Sequence, residues 1–480
     1  MNMEKDKQQD ENPKVVDISG QSIWQQIKGA IMGTEADYTK IDLNKAILLL
    51  AIPMVLELVL ESTFALADIY FVSQLGASAV ATVGLTESFL YLLYSLSMGM
   101  SIAVTAIIAR RVGQKMQDKA AITAVQAIIL GFLFSIPFSL AGLFFSRDLL
   151  RLMGADAWVL EEGYRYTQWM LGGNVVIVLL FVINAIFRGA GDAAIAMRIL
   201  FISNGINIIL DPLFIFGYGP VPAMGIEGAA IATNIGRGVG VLVQFWLLLK
   251  GGKHIRIFAR HMYWKSKVIL KILKTSVGGI GQMLVGMMSW LFITWIFAQL
   301  GSEVVAGATI TIRIIMFSMM PAWGMSNAAA TLVGQNLGAG DPARAESSVW
   351  KIGVYNMIFL LLVSMVFFFF NEEIVRLLSD DPGVVKVGAK WLKIISYSYI
   401  VYGWWMVAVQ AFNGAGDTRT PTWINVVFFW LIQIPLAWLL GIHLDFAYTG
   451  VFWAVFVSET SVGLFTLWLF TRGRWKTVSV

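Results

Sequence analysis

The chain has no cysteine, only three histidines, and charged side chains at just 14% of its 480 positions. Without cysteine there is neither a disulfide framework nor a thiolate site. His254, His261 and His443 are scattered, which excludes a histidine-rich metal centre and an HExxH helix. The one Gly-Lys pair, Gly252-Lys253, is followed by His254 rather than Ser or Thr, so there is no Walker A phosphate loop. The excess of Lys and Arg over acids, 35 against 30, is too small and too dispersed for a nucleic-acid surface. No cleavable leader is expected, because the first forty residues are polar and charged.

What fills the chain instead is apolar: 58% hydrophobic residues and a mean hydropathy of +0.72. Soluble domains hold about 45–50% apolar and about 25% charged residues, so lipid is the expected solvent. Inside a bilayer every backbone polar group must be paired internally, which leaves helices or closed barrels. Barrel strands are about ten alternating residues long. Here the runs are continuous and helix-length, at roughly 46–72, 81–109, 121–144, 159–187, 193–216, 224–249, 270–299, 304–332, 347–370, 384–411, 419–441 and 447–471. The expectation is an all-α membrane protein with twelve spans. Before them, Ile23–Ile31 has apolar residues at helical spacing. That stretch suits either a helix on the membrane surface or one packed under span 1.

Basic residues concentrate after span 2 (Arg110, Arg111, Lys115, Lys119), after span 6 (Lys250 to Lys267) and in the tail (Arg472, Arg474, Lys476). The positive-inside rule then puts both termini in the cytoplasm of a multi-pass cell (inner) membrane protein.

The chain also repeats. Phe187-Arg188-Gly189-Ala190-Gly191-Asp192 returns as Phe412-Asn413-Gly414-Ala415-Gly416-Asp417, and Gln74-Leu75-Gly76 as Gln299-Leu300-Gly301, both 225 residues on. Val112-Gly113-Gln114 returns as Val333-Gly334-Gln335. Two six-helix lobes inserted the same way up imply a pseudo-twofold axis along the membrane normal, with a substrate path between them. The organisation expected is a tail (1–40), an N-lobe (41–250), a basic linker (251–269), a C-lobe (270–472) and a second tail (473–480). The two Gly-Ala-Gly-Asp motifs read as turns and helix caps.

Acids inside spans cost roughly 2.5–3.5 kcal/mol each on insertion scales and are functional candidates by default. Span 1 carries Glu57, Glu61 and Asp68 along one stripe, and span 5 carries Asn207 and Asp211 one turn apart, followed by Pro212. Counting from the outer ends puts Asp68, Asp211, Tyr166 of span 4 and Thr233 of span 6 at a common depth of roughly 8–14 Å. Hard oxygen donors at one level suit a small cation or a proton. Competing structural readings exist. Asp68 can snorkel, Asp211-Pro212 can begin a broken helix, Tyr166 can be an interfacial aromatic, and Thr233 can bond its own backbone. Glu57 reads more readily as a structural hydrogen-bonding residue. The equivalents of Asp68 and Asp211 in the second half are Ile293 and Leu436, so the coupling site is expected in the N-lobe alone. Basic residues within spans are few, Arg313 and Arg237. Pro53 and Pro212 mark points where spans 1 and 5 can bend.

These features resemble the multidrug and toxic compound extrusion (MATE) family. The resemblance rests on Ile52-Pro53, Ala67-Asp68-Ile69-Tyr70-Phe71-Val72, the doubled Gly-Ala-Gly-Asp motif, Asn207 to Pro212, and Gly228-Ala229-Ala230-Ile231-Ala232-Thr233, and covers roughly residues 42–472. It implies two lobes around a central cleft and export of amphipathic, often cationic compounds in exchange for H⁺ or Na⁺. Within the bacterial branch coupled through the N-lobe, the ion-site residues match Asp68, Asn207, Asp211, Tyr166 and Thr233, with Na⁺ a candidate at Asp68, Asn207 and Asp211. Glu61 is a departure, since many relatives carry an uncharged polar residue there. The resemblance implies no cofactor beyond the coupling ion, and the expected partners are a small-molecule substrate and membrane lipids, with the chain a monomer. A lipid or lipid-linked sugar flippase of the same superfamily is the alternative, and an integral membrane enzyme a more distant one.

Overall fold

The computed structural model describes residues 23–33, 36–251 and 255–478. His254 and most of the first tail lie outside the described residues. Among the described residues, eleven helices are long and apolar enough to cross a membrane, and one bent helix pair makes a twelfth span. Those of the N-lobe are Leu43–Ser73, Ala77–Gly113, Gln117–Leu152, Val159–Ala190, Ala193–Phe216 and Gly225–Lys250. Those of the C-lobe are Ser266–Gln299, Ser302–Gly338, Pro342–Phe369, the bent pair Pro382–Ser396 and Tyr399–Ala415, Arg419–His443 and Ala447–Thr471. Several helices extend well beyond the apolar run that announced them, span 2 by a full turn at its start.

Local chemistry sets the ends. Asp42 caps span 1 by accepting from the Asn44 and Lys45 amides. Gly191 and Gly416 close spans 4 and 10 in the left-handed conformation, with φ of 96° and 89°, a backbone state that glycine adopts without strain. Span 10 is bent by 64° at Tyr397-Ser398. The equivalent break in span 4 falls at Gly173-Asn174, where the Asn174 amide donates to Ser135 O and Ser139 Oγ at 3.3 and 2.9 Å. Both proline-bearing spans singled out from sequence, at Pro53 and Pro212, continue as single helices.

The helix Ile23–Met32 packs against span 1 with Ala30 buried, and Arg198 of span 5 donates to Ile31 O at 3.1 Å. Trp24 stays 80% exposed on its outer side. Both described chain ends lie on one membrane face, called here the terminal face. Arg110 of span 2 bonds Val478 O, and Lys115 pairs with Asp37 at 2.6 Å.

The lobes meet mainly in the half nearest that face. Gly113 of span 2 lies against the backbone of Gln335 in span 8, and Gly338 of span 8 against the backbone of Arg110. Gly334 adjoins Ala109, and Gly324 lies against Val55 of span 1. Across the seam Thr331 donates to Arg188 O at 3.1 Å and Gln335 to Gly189 O at 3.1 Å. Tyr38 donates to Gly191 O at 3.1 Å while Arg344 of the C-lobe donates to Tyr38 O at 3.1 Å. Burial pushes the Tyr38 hydroxyl above its ordinary pKa, with the Asp192 carboxylate adding to the effect, so it remains a neutral donor. Toward the opposite face the contact lapses: Gly84 of span 2 and Gly286 of span 7 face open space. The result is a V-shaped cleft with a sealed floor.

Candidate functional site

The sequence-derived cluster assembles inside the N-lobe. Gly236 brings spans 5 and 6 together: a side chain there would meet Ser203 O at 2.7 Å and Asn207 Cβ at 3.1 Å. That approach lets the Asn207 amide reach both Asp211 Oδ1, at 3.2 Å, and Thr233 Oγ1, at 3.1 Å. Asn207, Asp211, Thr233 and Tyr166 are all buried. The Asp211 carboxylate lies within electrostatic reach of Asp68, and Tyr166 within reach of both, though the Tyr166 hydroxyl bonds to neither. Three acceptor oxygens remain buried without a hydrogen-bond partner: Asp68 Oδ1, Asn207 Oδ1 and Asp211 Oδ2. Such oxygens are costly unless something electropositive meets them. Because span 5 runs unbroken from Ala193 to Phe216, Asp211 is not the cap of a broken helix.

Glu61 behaves differently from the expected stripe. It does not turn to Asp68; it accepts from Arg237 Nη2 at 3.1 Å. Arg237 is buried, lies 5.3 Å over the Phe64 ring, and keeps Nε and Nη1 without partners. It also sits within electrostatic reach of Asp68 and lines the central cleft. A mid-span arginine between two glycines requires a counter-charge at its own depth, and Glu61 was the available one.

The cleft is a cavity of about 490 Å³ lined by both lobes. Glu57 takes its structural role on this wall, accepting from Arg188 Nη1 at 2.6 Å and Asn184 Nδ2 at 3.4 Å, with Gln244 bonded in turn to Asn184 at 2.7 Å. Arg188 corrects the sequence reading, which ended span 4 at residue 187 and named only Arg313 and Arg237 as basic residues within spans. Span 4 continues to Ala190, so the guanidinium points into the cavity.

A second correction concerns the C-lobe. Ile293 and Leu436 are indeed apolar, but span 12 carries Glu459, buried and lining the cavity. Comparing the halves at one fixed offset missed it. In spans 6 and 12 the helices register at 222 residues, with Gly228 and Gly450 each lying against a carbonyl of the preceding span. In that register Arg237 and Glu459 are counterparts.

The MatE family profile matches residues 53–213 and 280–439. "Probable multidrug resistance protein NorM" of Thermotoga maritima is 25% identical, over 91% of this chain and 94% of its own length. A protein of Shewanella oneidensis named "FAD transporter" is 26% identical, over 90% and 95%. A solved structure described as the outward-facing conformation of a multidrug resistance MATE family transporter superposes with a TM-score of 0.84 at 25% identity, covering 92% of this chain and 98% of the other. Two matched segments, one per lobe, a shared twelve-helix architecture and near-complete overlap with transporters rather than enzymes establish that this chain belongs to the MatE family of membrane transporters.

Proposed function

We propose that this protein is a secondary antiporter exporting amphipathic, cationic small molecules in exchange for H⁺ or Na⁺ bound in the N-lobe. The observation that carries the reading is the trio of buried, unpartnered oxygens on Asp68, Asn207 and Asp211. A proton or a sodium ion supplies what they lack, with Thr233 holding the Asn207 amide in position and Tyr166 covering the pair. With the termini in the cytoplasm, the sealed floor faces inward and the cavity opens outside, where the ion enters. An ion drives transport only through different affinities in two states. Neutralising the cluster removes the repulsion between the two carboxylates and favours a bend of span 1 at Pro53, which narrows the N-lobe wall and expels cargo. Glu61, held by Arg237, couples that wall to the ion site.

The cavity's charge supports a cationic cargo. Its lining holds three carboxylates, Glu57, Glu61 and Glu459, against two guanidiniums, Arg188 and Arg237, and each guanidinium already has its own carboxylate. An anionic cargo, the reading the Shewanella relative's name would suggest, meets no free cation pair there. A volume of about 490 Å³ suits a drug-sized molecule.

The test is export of a cationic dye from proteoliposomes under separately imposed pH and Na⁺ gradients. Asp68→Asn should fold and lose gradient-driven export. Asp445→Asn, in a loop where Asp445 adopts a φ of 54° that asparagine tolerates, should retain it. Undiminished gradient-driven export by Asp68→Asn would remove the N-lobe ion site from the mechanism.

A further inference from the structure

The carboxylate of Glu459 is the one acidic group on the cavity wall with no cationic partner. The residue is only 7% exposed, and Oε2 has no hydrogen-bond partner. An isolated buried carboxylate is destabilising unless it is protonated or holds a cation. Its surroundings are those of a cation receptor. Tyr402, within electrostatic reach of Glu459, contacts Trp405 at a ring separation of 4.7 Å, and Trp405 contacts Phe429 at 6.1 Å. All of these rings line the cavity, together with Gln282 and Asn425, whose carbonyl oxygens are buried and unpartnered.

The backbone is arranged to hold this wall open. Span 11 widens into π-type turns over Val426–Gln433, a distortion that frees carbonyls and recurs at functional sites. The released carbonyls are taken by neighbours: Ser458 donates to Phe428 O at 2.8 Å and Ser289 to Phe429 O at 3.3 Å. Ser458 occupies the position that Gly236 holds in the N-lobe, and the next residue in each lobe faces the cavity. In the N-lobe that residue is a paired arginine, in the C-lobe an unpaired glutamate. The pseudo-twofold axis thus relates opposite charges, and only one of them is compensated.

We propose that Glu459, with the Tyr402–Trp405–Phe429 aromatic wall, forms a C-lobe subsite that binds the cationic centre of the cargo. Aromatic faces beside a carboxylate attract ammonium and phosphonium groups by combined cation–π and charge attraction, strengthened where water is excluded. This rests on the proposed export of organic cations and assigns its recognition element to the C-lobe, away from the ion site at Asp68 and Asp211. Cargo and coupling ion then occupy different lobes, and their competition passes through the conformational change rather than through a shared carboxylate.

The test uses the purified full-length protein in nanodiscs, with tetraphenylphosphonium and the neutral triphenylphosphine oxide as probes. Glu459→Gln keeps the shape of the protonated side chain and removes the charge. The expected result is a rise in the tetraphenylphosphonium Kd of about tenfold or more, with the neutral probe changed by less than about twofold. Should the glutamine variant fail to fold, Glu459→Asp retracts the charge by one methylene and should weaken the cation selectively. Wild-type affinity for tetraphenylphosphonium in Glu459→Gln, with export of the same cation by the wild type intact, overturns this subsite and leaves the antiport reading standing. Absence of both binding and export of the cation in the wild-type protein overturns both.

Discussion

Replacing Gly113 by alanine adds one methyl group where the backbone of span 8 already lies. The new carbon would overlap the Gln335 carbonyl oxygen and stand 2.7 and 2.9 Å from Gln335 C and Cα. All three contacts are backbone, so no side chain can swing aside. Overpacking of this kind costs about 1–3 kcal/mol, and the cost falls only on the state in which the floor is sealed. At about 1.4 kcal/mol per tenfold, the balance between sealed-floor and open-floor states should move by roughly 5- to 150-fold. The chain's lack of cysteine permits direct spin labelling at Leu152→Cys and Leu377→Cys, both at helix ends away from the terminal face and more than 80% exposed. Pulsed electron–electron distance measurements should give one dominant long separation in the parent and a new, shorter one in Gly113→Ala as the mouth of the cleft closes. A well-folded Gly113→Ala with an unchanged distance distribution would refute the claim that this glycine seam holds the conformation.

Three further outcomes follow from the geometry. Glu57→Gln leaves Arg188 without its charge partner inside the protein and should cost about 3–5 kcal/mol of stability, while Glu57→Leu combined with Arg188→Leu should recover most of it in thermal unfolding. Glu87 of span 2 and Arg313 of span 8 lie within electrostatic reach across the mouth but form no ion pair. Glu87→Lys should therefore slow export by hindering closure, by roughly fivefold for about 1 kcal/mol, and adding Arg313→Glu should restore the rate. Asp68→Asn should abolish gradient-driven dye export, as set out above.

The spans were legible because lipid forces long, continuous apolar runs, and the doubled Gly-Ala-Gly-Asp motif disclosed the two lobes. Asn207 and Asp211 were legible because a spacing of four places them on one helix face. Three features were not. Arg188 follows the apolar run that marks span 4, and only the full length of that helix places it on the cavity wall. Glu61 shares a stripe with Asp68, but a periodic stripe cannot show which partner a long side chain chooses; Arg237 on another helix took it. Glu459 escaped because the halves were aligned at 225 residues, which pairs Arg237 with Val462 and Glu459 with Asn234. The shorter connection before span 12 shifts that helix pair to 222, a difference fixed by loop geometry and by the close approach at Gly450.

The central claim is that an ion bound at Asp68 and Asp211 moves in as cargo moves out. Simultaneous recording of cargo efflux and ion influx in one population of proteoliposomes, by a pH-sensitive dye and by radioactive Na⁺, tests it most directly. The account predicts a fixed ratio of one ion species to cargo in the wild type and loss of both fluxes in Asp68→Asn and Asp211→Asn. Cargo efflux from the wild type with no accompanying movement of either ion would contradict it.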